Sequence, residues 1–336
     1  MSMRILITAS FHEDGLKILQ QHATVIHEDW RITRHVYWGE ELLDKIQAIK
    51  ADAVIVEADA VTEDVFEGVP LKFVGSARDS PKEVDIESAT AHSVPVFYTP
   101  GRNADSVADL TVLLILAQAR KLITTDRLLR SGKVIINSTE EFASFHDSLK
   151  GQELGRSTVG IIGLGQIGGR VAQRLQGFGT RVLFYDPHVN KEQGIQINAE
   201  KTELETLMRE SDFITLHTQA TPETFRMIGK EQLAWMKPTA HLINTARSAI
   251  IDENALFEAI QMGRIAGAGL DVHSREPVGS DNRFLQFDNV TVTPHIGGNT
   301  LDVVYRQSMI LASDIDRFLK GETPKYLANP EVLKSS

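Results

Sequence analysis

Three side chains in the second half of the sequence, Arg247, Glu276 and His295, each follow a short apolar run. A guanidinium can hold a carboxylate through two hydrogen bonds and polarise a carbonyl oxygen beside it. An imidazole can exchange a proton with a hydroxyl near neutral pH, and a carboxylate on its other nitrogen would fix the tautomer and favour the protonated ring. Taken singly, the three would more often be a surface ion pair, a turn residue and a core histidine. Together they predict a site for hydride transfer to and from a 2-hydroxy acid.

A glycine motif supplies the second chemical signal. The apolar run that begins at Thr158 breaks into Gly163-x-Gly165-x-x-Gly168 and continues as a helical pattern through Leu175. The first glycine permits a tight turn, the second lets the backbone approach a pyrophosphate, and the third lets the helix pack close to the strand. The helix N-terminus offers free N–H groups to the anion. The motif predicts dinucleotide binding, and a plain βαβ crossover is the alternative.

Asp186 extends the dinucleotide prediction. It ends a second apolar run, Arg181–Asp186, 18 positions after Gly168, where a carboxylate can accept the ribose hydroxyls of an adenosine. The carboxylate would repel a 2′-phosphate, and the following Pro187-His188 offers no arginine to compensate. We therefore expect NAD as the cofactor rather than NADP.

Alternating strand and helix patterns surround these residues. Short β-like runs alternate with helical patterns in the first hundred residues, and the alternation restarts at Thr158. This order predicts an α/β fold of two doubly wound parallel-sheet domains, whose strand ends carry the ligands. The predicted strands include Arg4–Thr8, Ala53–Glu57, Lys72–Ser76, Pro95–Tyr98, Arg181–Asp186, Asp212–His217, His241–Thr245, Gly267–Asp271 and Val290–Thr293, and the helical patterns include Asp14–Gln21 and Glu40–Ile49.

Other segments link the two halves. A turn is predicted at Thr99–Asn103, which marks a domain boundary. The apolar helix predicted over Ala104–Leu122 is expected in an interdomain or intersubunit seam. Residues 131–157 lack clear periodicity and are expected to form a long connection. The amphipathic helix predicted over Thr300–Lys320 is expected to return to the first domain.

Composition bounds the class of function. The chain of 336 residues is long enough for two domains, and its net charge of −10 is spread over interspersed acidic and basic residues. No basic stripe supports nucleic acid or an anionic membrane as a partner, and no run approaches the ~20 apolar residues of a membrane span. The N-terminus enters a strand pattern directly, so we expect a cytoplasmic protein. Without cysteine, a disulfide, a thiolate nucleophile and Cys-ligated zinc are excluded. No metal site is predicted, and a redox role requires a bound cofactor.

Five motifs in order carry a resemblance to a known family. They are Thr99–Asp109 (TPGRNADSVAD), Val159–Gly168 (VGIIGLGQIG), Asn244–Arg247 (NTAR), Gly269–Val272 (GLDV) with Glu276-Pro277, and Thr293–Gly298 (TPHIGG). From about Val74 to Asp302 the sequence resembles the D-isomer-specific 2-hydroxyacid dehydrogenase family, and within it the phosphoglycerate dehydrogenase-like members without a regulatory domain. Five ordered motifs are far more specific than any one of them.

The resemblance implies an enzyme with its active site in a cleft between two domains. A flavodoxin-like substrate-binding domain would span residues 1–103, completed by 300–336, and a Rossmann NAD-binding domain would span 104–299. Arg247 would bind the substrate carboxylate and carbonyl, His295 would be the acid–base group, and Glu276 would tune it. NAD would contact Gly163, Gly165, Gln166, Ile167, Gly168, Asp186, Thr245, Ala246, Asp271, His295 and Gly298. A small-molecule 2-hydroxy or 2-keto acid is the expected partner, and we expect a homodimer.

One loop departs from the family pattern. At the end of the third substrate-domain strand the family usually has glycines, whose N–H groups hold the substrate carboxylate. This sequence has Ala77-Arg78-Asp79-Ser80, and these four are the further candidates for substrate binding. Arg78 and Ser80 could bind a second anionic group such as a phosphate, or Arg78 could pair with Asp79, and both interpretations stay open. Ser248 replaces a frequent glycine, a change that we expect to be mild.

Two other functions are compatible with parts of the sequence. Formate dehydrogenase shares the fold but has a glutamine where this chain has Glu276, which argues against it. An NAD(H)-sensing interaction protein like the C-terminal binding protein corepressors keeps the same three residues on the same fold. The main hypothesis is NAD-dependent oxidoreduction between a D-2-hydroxy acid and a 2-keto acid. Phosphoglycerate, glyoxylate, hydroxypyruvate and bulkier acids stay open as substrates, and so does the direction of the reaction.

Overall fold

The computed structural model describes residues 3–132, residue 134 and residues 136–333. The chain divides into two compact units: unit 1 comprises residues 3–103 with residues 300–333, and unit 2 comprises residues 104–299. Each unit is built on one parallel sheet, which confirms the predicted α/β fold with two parallel-sheet domains.

The strands and helices alternate along the chain. The strands are β1 Arg4–Ile7, β2 Thr24–His27, β3 Ala53–Val56, β4 Phe73–Ser76, β5 Val96–Phe97, β6 Thr158–Ile162, β7 Arg181–Tyr185, β8 Ala199–Lys201, β9 Phe213–Leu216, β10 His241–Asn244, β11 Gly267–Leu270 and β12 Val290–Val292. The α-helices are α1 Glu13–Gln20, α2 Trp30–Thr33, α3 Glu40–Ile49, α4 Glu63–Gly68, α5 Ile86–Ala91, α6 Ala104–Ala119, α7 Leu122–Arg130, α8 Thr139–Ser148, α9 Gln166–Gln176, α10 Lys191–Ile195, α11 Leu204–Glu210, α12 Lys230–Trp235, α13 Glu253–Gln261 and α14 Leu301–Leu319.

The sheet of unit 1 has the flavodoxin-like strand order β2-β1-β3-β4-β5, and its pairings are parallel. Successive side chains of β1 point to opposite faces of the sheet. Ile5 and Ile7 join an apolar cluster with α1 and α14, whereas Leu6 joins a second cluster with α3 and α4. Helices therefore cover both faces, and the carboxyl ends of the strands meet at one edge.

The sheet of unit 2 has the order β12-β11-β10-β9-β6-β7-β8, which is the Rossmann order with one additional strand. Val159 and Ile161 of β6 pack with α6 and α9 on one face. Ile162 packs with α11, α12 and α13 on the other face. Strand order reverses on either side of β6, and open α/β sheets bind their ligands outside the carboxyl ends of the strands at such a point.

The apolar helix after residue 103 differs from the predicted one. It ends at Ala119, Lys121 adopts a left-handed backbone with φ 51°, and a second helix begins at Leu122. The single helix predicted over Ala104–Leu122 is therefore too long. The side chains of α6 pack against α9 and against β10 and β11 of the same unit. Burial within unit 2 thus accounts for much of its apolar composition, and the expected place of the helix in a seam stays a prediction.

Helix α8 lies in the segment that was expected to be a connection. Ser138 caps it, because its hydroxyl accepts the N–H of Glu141 at 3.1 Å. The Glu141 carboxylate in turn accepts the N–H of Asn137 at 2.7 Å. Phe142 of α8 is half exposed rather than buried in a core. A helix that buries so little needs no apolar face, so its sequence has only weak apolar periodicity.

No helix among the described residues is long and apolar enough to cross a membrane. In the same part of the chain, no group of three or more His, Asp and Glu side chains is arranged to hold a metal ion.

Candidate active site

The turn between β6 and α9 contains backbone positions that only glycine fits. Gly163 has φ 92°, and a Cβ there would lie 2.8 Å from the carbonyl carbon of His217. A Cβ on Gly168 would overlap the carbonyl oxygen of Gly163. At Gly165, by contrast, a Cβ would have no atom within 4 Å. Two glycines therefore shape the turn, and the third leaves open space through which a ligand can approach the backbone.

Helix α9 begins directly after this turn without a side-chain cap. The N–H groups of Gln166, Ile167 and Gly168 have no acceptor among the described residues. Unpaired N–H groups and the positive end of the helix dipole together suit a pyrophosphate. The Gln166 side chain is oriented by Arg170, whose Nη1 donates to its Oε1 at 2.8 Å.

Asp186 lies just past β7 and is anchored to the glycine turn. Its Oδ2 accepts the N–H of Leu164 at 2.9 Å, and its Oδ1 accepts the N–H of His188 at 2.8 Å. Each carboxylate oxygen keeps further lone-pair capacity for a ribose hydroxyl. The open glycine, the unpaired N–H groups and this carboxylate fit the pyrophosphate and adenosine of NAD.

His217 supports the glycine turn, a role that was not predicted from the sequence. Its N–H donates to the carbonyl of Ile162 at 2.7 Å, and its Nε2 lies 3.0 Å from the Thr215 hydroxyl. Burial lowers the pKa of His217 to about 3, so the ring is neutral at physiological pH. In the sequence, the only indication of a role for His217 was its position at the end of a buried strand.

Arg247, Glu276 and His295, the triad, lie past the carboxyl ends of three adjacent parallel strands, β10, β11 and β12. Oε2 of Glu276 lies 2.7 Å from Nδ1 of His295. Oε1 of Glu276 accepts the N–H of His273 at 3.0 Å. Burial raises the pKa of Glu276, but the hydrogen bonds from His295 and His273 outweigh burial and hold that pKa below its ordinary value. The glutamate is therefore an anion at neutral pH. Nδ1 of His295 is engaged, which leaves Nε2 for a substrate.

The loop that carries His295 is held by Asp271, which is buried at the end of β11. Its Oδ1 accepts the Thr293 hydroxyl at 2.7 Å and the N–H of Ile296 at 2.8 Å, and its Oδ2 accepts the N–H of Gly297 at 2.8 Å. These bonds stabilise His295 at φ 56°, a backbone region that costs energy for any residue but glycine. The carboxylate of Asp271 thus positions the imidazole. Gly298, another residue expected at the cofactor, follows directly and is half-buried.

Arg247 follows β10 on a turn fixed by Asn244. The Asn244 side chain accepts the N–H of Ala246 at 3.0 Å and donates to the carbonyl of Arg247 at 3.0 Å. Thr245 and Ala246 are buried, and the Thr245 hydroxyl is bonded to that of Thr111 at 2.8 Å. The Arg247 side chain is exposed and donates to the carbonyl of Ala246 at 2.6 Å. It has no carboxylate partner among the described residues, so a surface ion pair does not account for it.

The predicted substrate loop lies in unit 1, past β4. Ala77 is buried, whereas Arg78, Asp79 and Ser80 are exposed. The Asp79 carboxylate accepts the N–H of Gly101 and does not pair with Arg78. The alternative in which Arg78 is neutralised by Asp79 is therefore wrong.

The Arg78 guanidinium has other partners. Its Nη1 donates to the carbonyl of Glu57 at 3.3 Å, and its Nε lies 3.7 Å from a carboxylate oxygen of Glu83. Neither residue was singled out in the sequence, because Glu57 lies 21 positions before Arg78 and Glu83 follows it outside any helix, so neither spacing is a recognised pattern.

A cavity of about 640 Å³ in unit 2 is lined by the loops that flank the triad but includes none of its members. Some of its polar side chains bond to one another: Arg275 donates to Asp281 at 2.7 Å, and the Ser274 hydroxyl donates to Glu253 at 2.6 Å. Neither of these two pairs joins a carboxylate to an imidazole, as the pair of Glu276 and His295 does. The triad is therefore the candidate for proton exchange, and this cavity is not.

Comparisons with known proteins relate this site to a family. Residues 112–297 match the family model described as D-isomer specific 2-hydroxyacid dehydrogenase, NAD binding domain. The chain is 37% identical to a glyoxylate reductase of Thermococcus litoralis, over 100% of this chain and 99% of that protein. It is 34% identical to the putative 2-hydroxyacid dehydrogenase YoaD of Bacillus subtilis, over 99% of this chain and 96% of that protein. A crystal structure of D-lactate dehydrogenase with NAD⁺ from Lactobacillus jensenii superposes with a TM-score of 0.81 at 26% identity, covering 97% of this chain and 99% of that one.

Proposed function

We propose that this chain, which belongs to the D-isomer-specific 2-hydroxyacid dehydrogenase family, acts as an NADH-dependent reductase of small 2-keto acids, with glyoxylate among its substrates. The protein is an NAD-dependent oxidoreductase of 2-hydroxy acids. The observation that carries the finer proposal is the 2.7 Å hydrogen bond between Glu276 and His295, with the exposed Arg247 past an adjacent strand. The similarity to a glyoxylate reductase along the whole chain supports the choice of glyoxylate.

Residues of unit 2 would hold the cofactor. The N–H groups of Gln166 and Ile167 would bind the pyrophosphate, and Asp186 would accept the ribose hydroxyls. Thr245, Ala246, Asp271 and Gly298 would form the nicotinamide side of the site. When bound, the nicotinamide gives hydride to the substrate carbon or takes it away.

The triad would perform the acid–base part of the reaction. In reduction, Arg247 binds the substrate carboxylate with two hydrogen bonds and stabilises the negative charge that develops on the keto oxygen. His295 donates its Nε2 proton to that oxygen and becomes neutral, and it regains a proton from solvent. Glu276 fixes the tautomer through Nδ1 and stabilises the protonated ring before transfer. In oxidation His295 accepts the hydroxyl proton instead.

Steady-state kinetics with purified protein test this function. We expect glyoxylate, hydroxypyruvate or pyruvate to drive NADH oxidation, followed at the nicotinamide absorbance band. The value of kcat/KM should be higher with NADH than with NADPH, because Asp186 repels the 2′-phosphate. His295→Ala should lower kcat by about 10²–10⁴-fold and leave NADH binding nearly intact.

The exposed His92 at the end of α5 provides the control variant, since His92→Ala should retain wild-type kinetics. An unchanged kcat in His295→Ala, or no reduction of any keto acid, would contradict the proposal. Weak turnover on every keto acid together with NADH-dependent association with another protein would favour the corepressor-type alternative. The relatives described as a reductase and a dehydrogenase favour the enzyme.

The proposal includes a homodimer located in the cytoplasm, where NADH is available. Helices α7 and α8 leave large apolar side chains in solvent: Leu122, Leu129 and Phe142 are each at least half exposed. Exposed apolar side chains that lie together in the chain mark interaction surfaces. A second copy of this chain is the occupant that we propose for them.

A further inference from the structure

Three arginines gather around Glu57 at the carboxyl edge of the sheet of unit 1. Arg102 Nη1 lies 3.2 Å and Arg31 Nη2 lies 3.3 Å from Oε1 of Glu57. Arg78 Nη1 donates to the Glu57 carbonyl oxygen at 3.3 Å. Arg31, Arg78 and Arg102 together are the arginine cluster. It is assembled from the segments that follow β2, β4 and β5.

Glu57 anchors the arginine cluster and is itself fully engaged. Its side chain is only 7% exposed. Its second oxygen, Oε2, accepts the N–H of Ser10 and the indole N–H of Trp30, both at 3.2 Å. With both oxygens occupied, this carboxylate fixes the guanidinium groups in place and cannot neutralise all of them.

The arginine cluster carries more positive charge than its partners neutralise. Among the described residues, its only carboxylate partners are Glu57 and Glu83. Burial raises the pKa of Glu83 above its ordinary value, although the Ser76 hydroxyl donates to it and opposes the shift. Three guanidinium groups therefore face one saturated carboxylate and one that is costly to ionise.

Two observations indicate that an additional anion would be favourable here. Burial lowers the pKa of Arg102, and the charges of Arg78 and Arg31 add to that decrease, while the charge and hydrogen bond of Glu57 oppose it without cancelling it. The Nε of Arg102 is buried without a hydrogen-bond partner among the described residues. A ligand could reach the cluster, because the side chains of Arg78 and Arg31 are 48% and 44% exposed. Each guanidinium has five N–H donors, and few of these are used.

We infer that the arginine cluster binds a second acidic group, a phosphate or a carboxylate, carried by the 2-keto acid that the enzyme reduces. The inference rests on the proposed function, and it names the preferred substrate class as dianionic. Planar guanidinium groups match phosphate and carboxylate oxygens, whereas a methyl or hydroxyl group would leave the three charges uncompensated. Glyoxylate, as a small monoanion, would be reduced without using the cluster.

Matched substrate pairs test the inference. The phosphate arm compares 3-phosphohydroxypyruvate with hydroxypyruvate, and the carboxylate arm compares 2-ketoglutarate with 2-ketobutyrate. In one of the two pairs, we expect the wild type to have a higher kcat/KM for the dianion than for the monoanion. The pair that shows this difference identifies the acidic group as a phosphate or a carboxylate. Arg78→Met should lower that kcat/KM by about 10- to 100-fold, the scale of one charge-assisted hydrogen bond, and lower the value for the monoanion much less.

Two further variants separate charge from loop shape. Arg78→Lys restores the charge without the planar fork and should recover part of the loss. Arg4→Met removes a guanidinium from the opposite edge of the same sheet, where Arg4 donates to the Ile49 carbonyl at 2.8 Å. It should leave the preference for the dianion unchanged.

The outcomes distinguish this inference from the proposed function. The inference is overturned if Arg78→Met lowers kcat/KM equally for the dianion and the monoanion. It is also overturned if the wild type reduces monoanions and has no higher kcat/KM for either dianion. Both results leave the proposed function standing. If no keto acid is reduced, the proposed function fails. In that case, calorimetric titration with the two dianions tests the anion site by itself. Binding to the wild type that is lost in Arg78→Met supports the site, whereas the absence of binding to the wild type overturns it.

Discussion

At the level of single residues, the side chains of the triad depend on neighbours outside the triad that hold them in place. Asp271 fixes the loop of His295, and Asn244 fixes the turn of Arg247. His273 donates its N–H to Glu276, and its own ring is bonded to the carbonyl of Thr293 at 2.9 Å. The triad geometry is therefore set by hydrogen bonds between the ends of adjacent strands.

The charge of Glu276 should determine how the rate depends on pH. The carboxylate favours the protonated imidazole, and keto-acid reduction requires that proton. In Glu276→Gln the hydrogen bond can persist while the charge is lost, so reduction should fall off at a more acidic pH than in the wild type. The pH profile of kcat/KM with NADH and glyoxylate measures the shift.

The carboxylate of Glu253, at the start of α13, provides the control. Glu253 accepts the N–H and the hydroxyl of Ser274, and Glu253→Gln removes a charge there without touching His295. Its profile should match the wild type. An unshifted profile in Glu276→Gln would mean that the glutamate does not govern proton transfer.

At the level of elements, the start of α9 depends on close backbone packing. Gly168→Ala would push its Cβ into the carbonyl oxygen of Gly163, so the helix would have to move away from the turn. We expect NADH binding to weaken by about tenfold or more, together with a loss of roughly 1–3 kcal/mol in stability. NADH fluorescence titration and urea unfolding measure the two effects.

The next residue along the helix is a matched control. A Cβ on Gly169 would have no atom within 4 Å, so Gly169→Ala should bind NADH normally and be as stable as the wild type or slightly more so. Equal weakening in both alanine variants would show that close packing at the turn is not what NADH binding requires.

Buried strands were predictable from sequence, and partly exposed elements were not. β3 and β4 are buried throughout, and Ser76 at the end of β4 is their one polar residue. β2 is only half-buried, and β8 is three residues long with two charged side chains, so neither gave a clear apolar run. α6 ends where Lys121 adopts a left-handed backbone conformation, and no residue type in this segment predicts that conformation.

The chemistry of the site was more accessible to sequence analysis than its electrostatics. The triad and the glycine turn occur in ordered motifs next to strand ends. The arginine cluster is drawn from three separate segments, and only folding brings Arg31 and Arg102 to Glu57. Motifs report contacts that are local in the chain, whereas ion pairs between distant segments leave no spacing to detect.

For the molecule as a whole, acid stability should depend on a histidine outside the site. His241 begins β10 and stacks on Phe213 with ring centroids 5.3 Å apart. Burial, with a smaller contribution from the charge of Lys121, lowers the pKa of His241 to about 4. An unfolded histidine titrates near ~6.5. The unfolded state therefore binds more protons between these values, and stability falls as pH drops from about 6.5 to about 4.

His241→Phe should reduce this acid sensitivity, because it keeps the aromatic stack and removes the titrating group. Between pH 7 and pH 4.5 the variant should lose roughly 2 kcal/mol less stability than the wild type in urea unfolding. His188→Phe changes an exposed ring and should leave the pH dependence unaltered. Parallel stability curves for His241→Phe and the wild type would contradict the prediction.

The assembly of the molecule should depend on the apolar side chains of α7 and α8. The wild-type chain of 37.3 kDa should sediment as a dimer at micromolar concentration. A glutamate at an apolar interface must be desolvated, so the double variant Leu129→Glu, Phe142→Glu should sediment as a monomer. Leu301→Glu is the control, because that side chain is 91% exposed at the start of α14 in unit 1, and an acidic residue there suits the helix N-terminus. A wild type that sediments as a monomer, or a double variant that dimerises as well as Leu301→Glu, would show that another surface or none joins the copies.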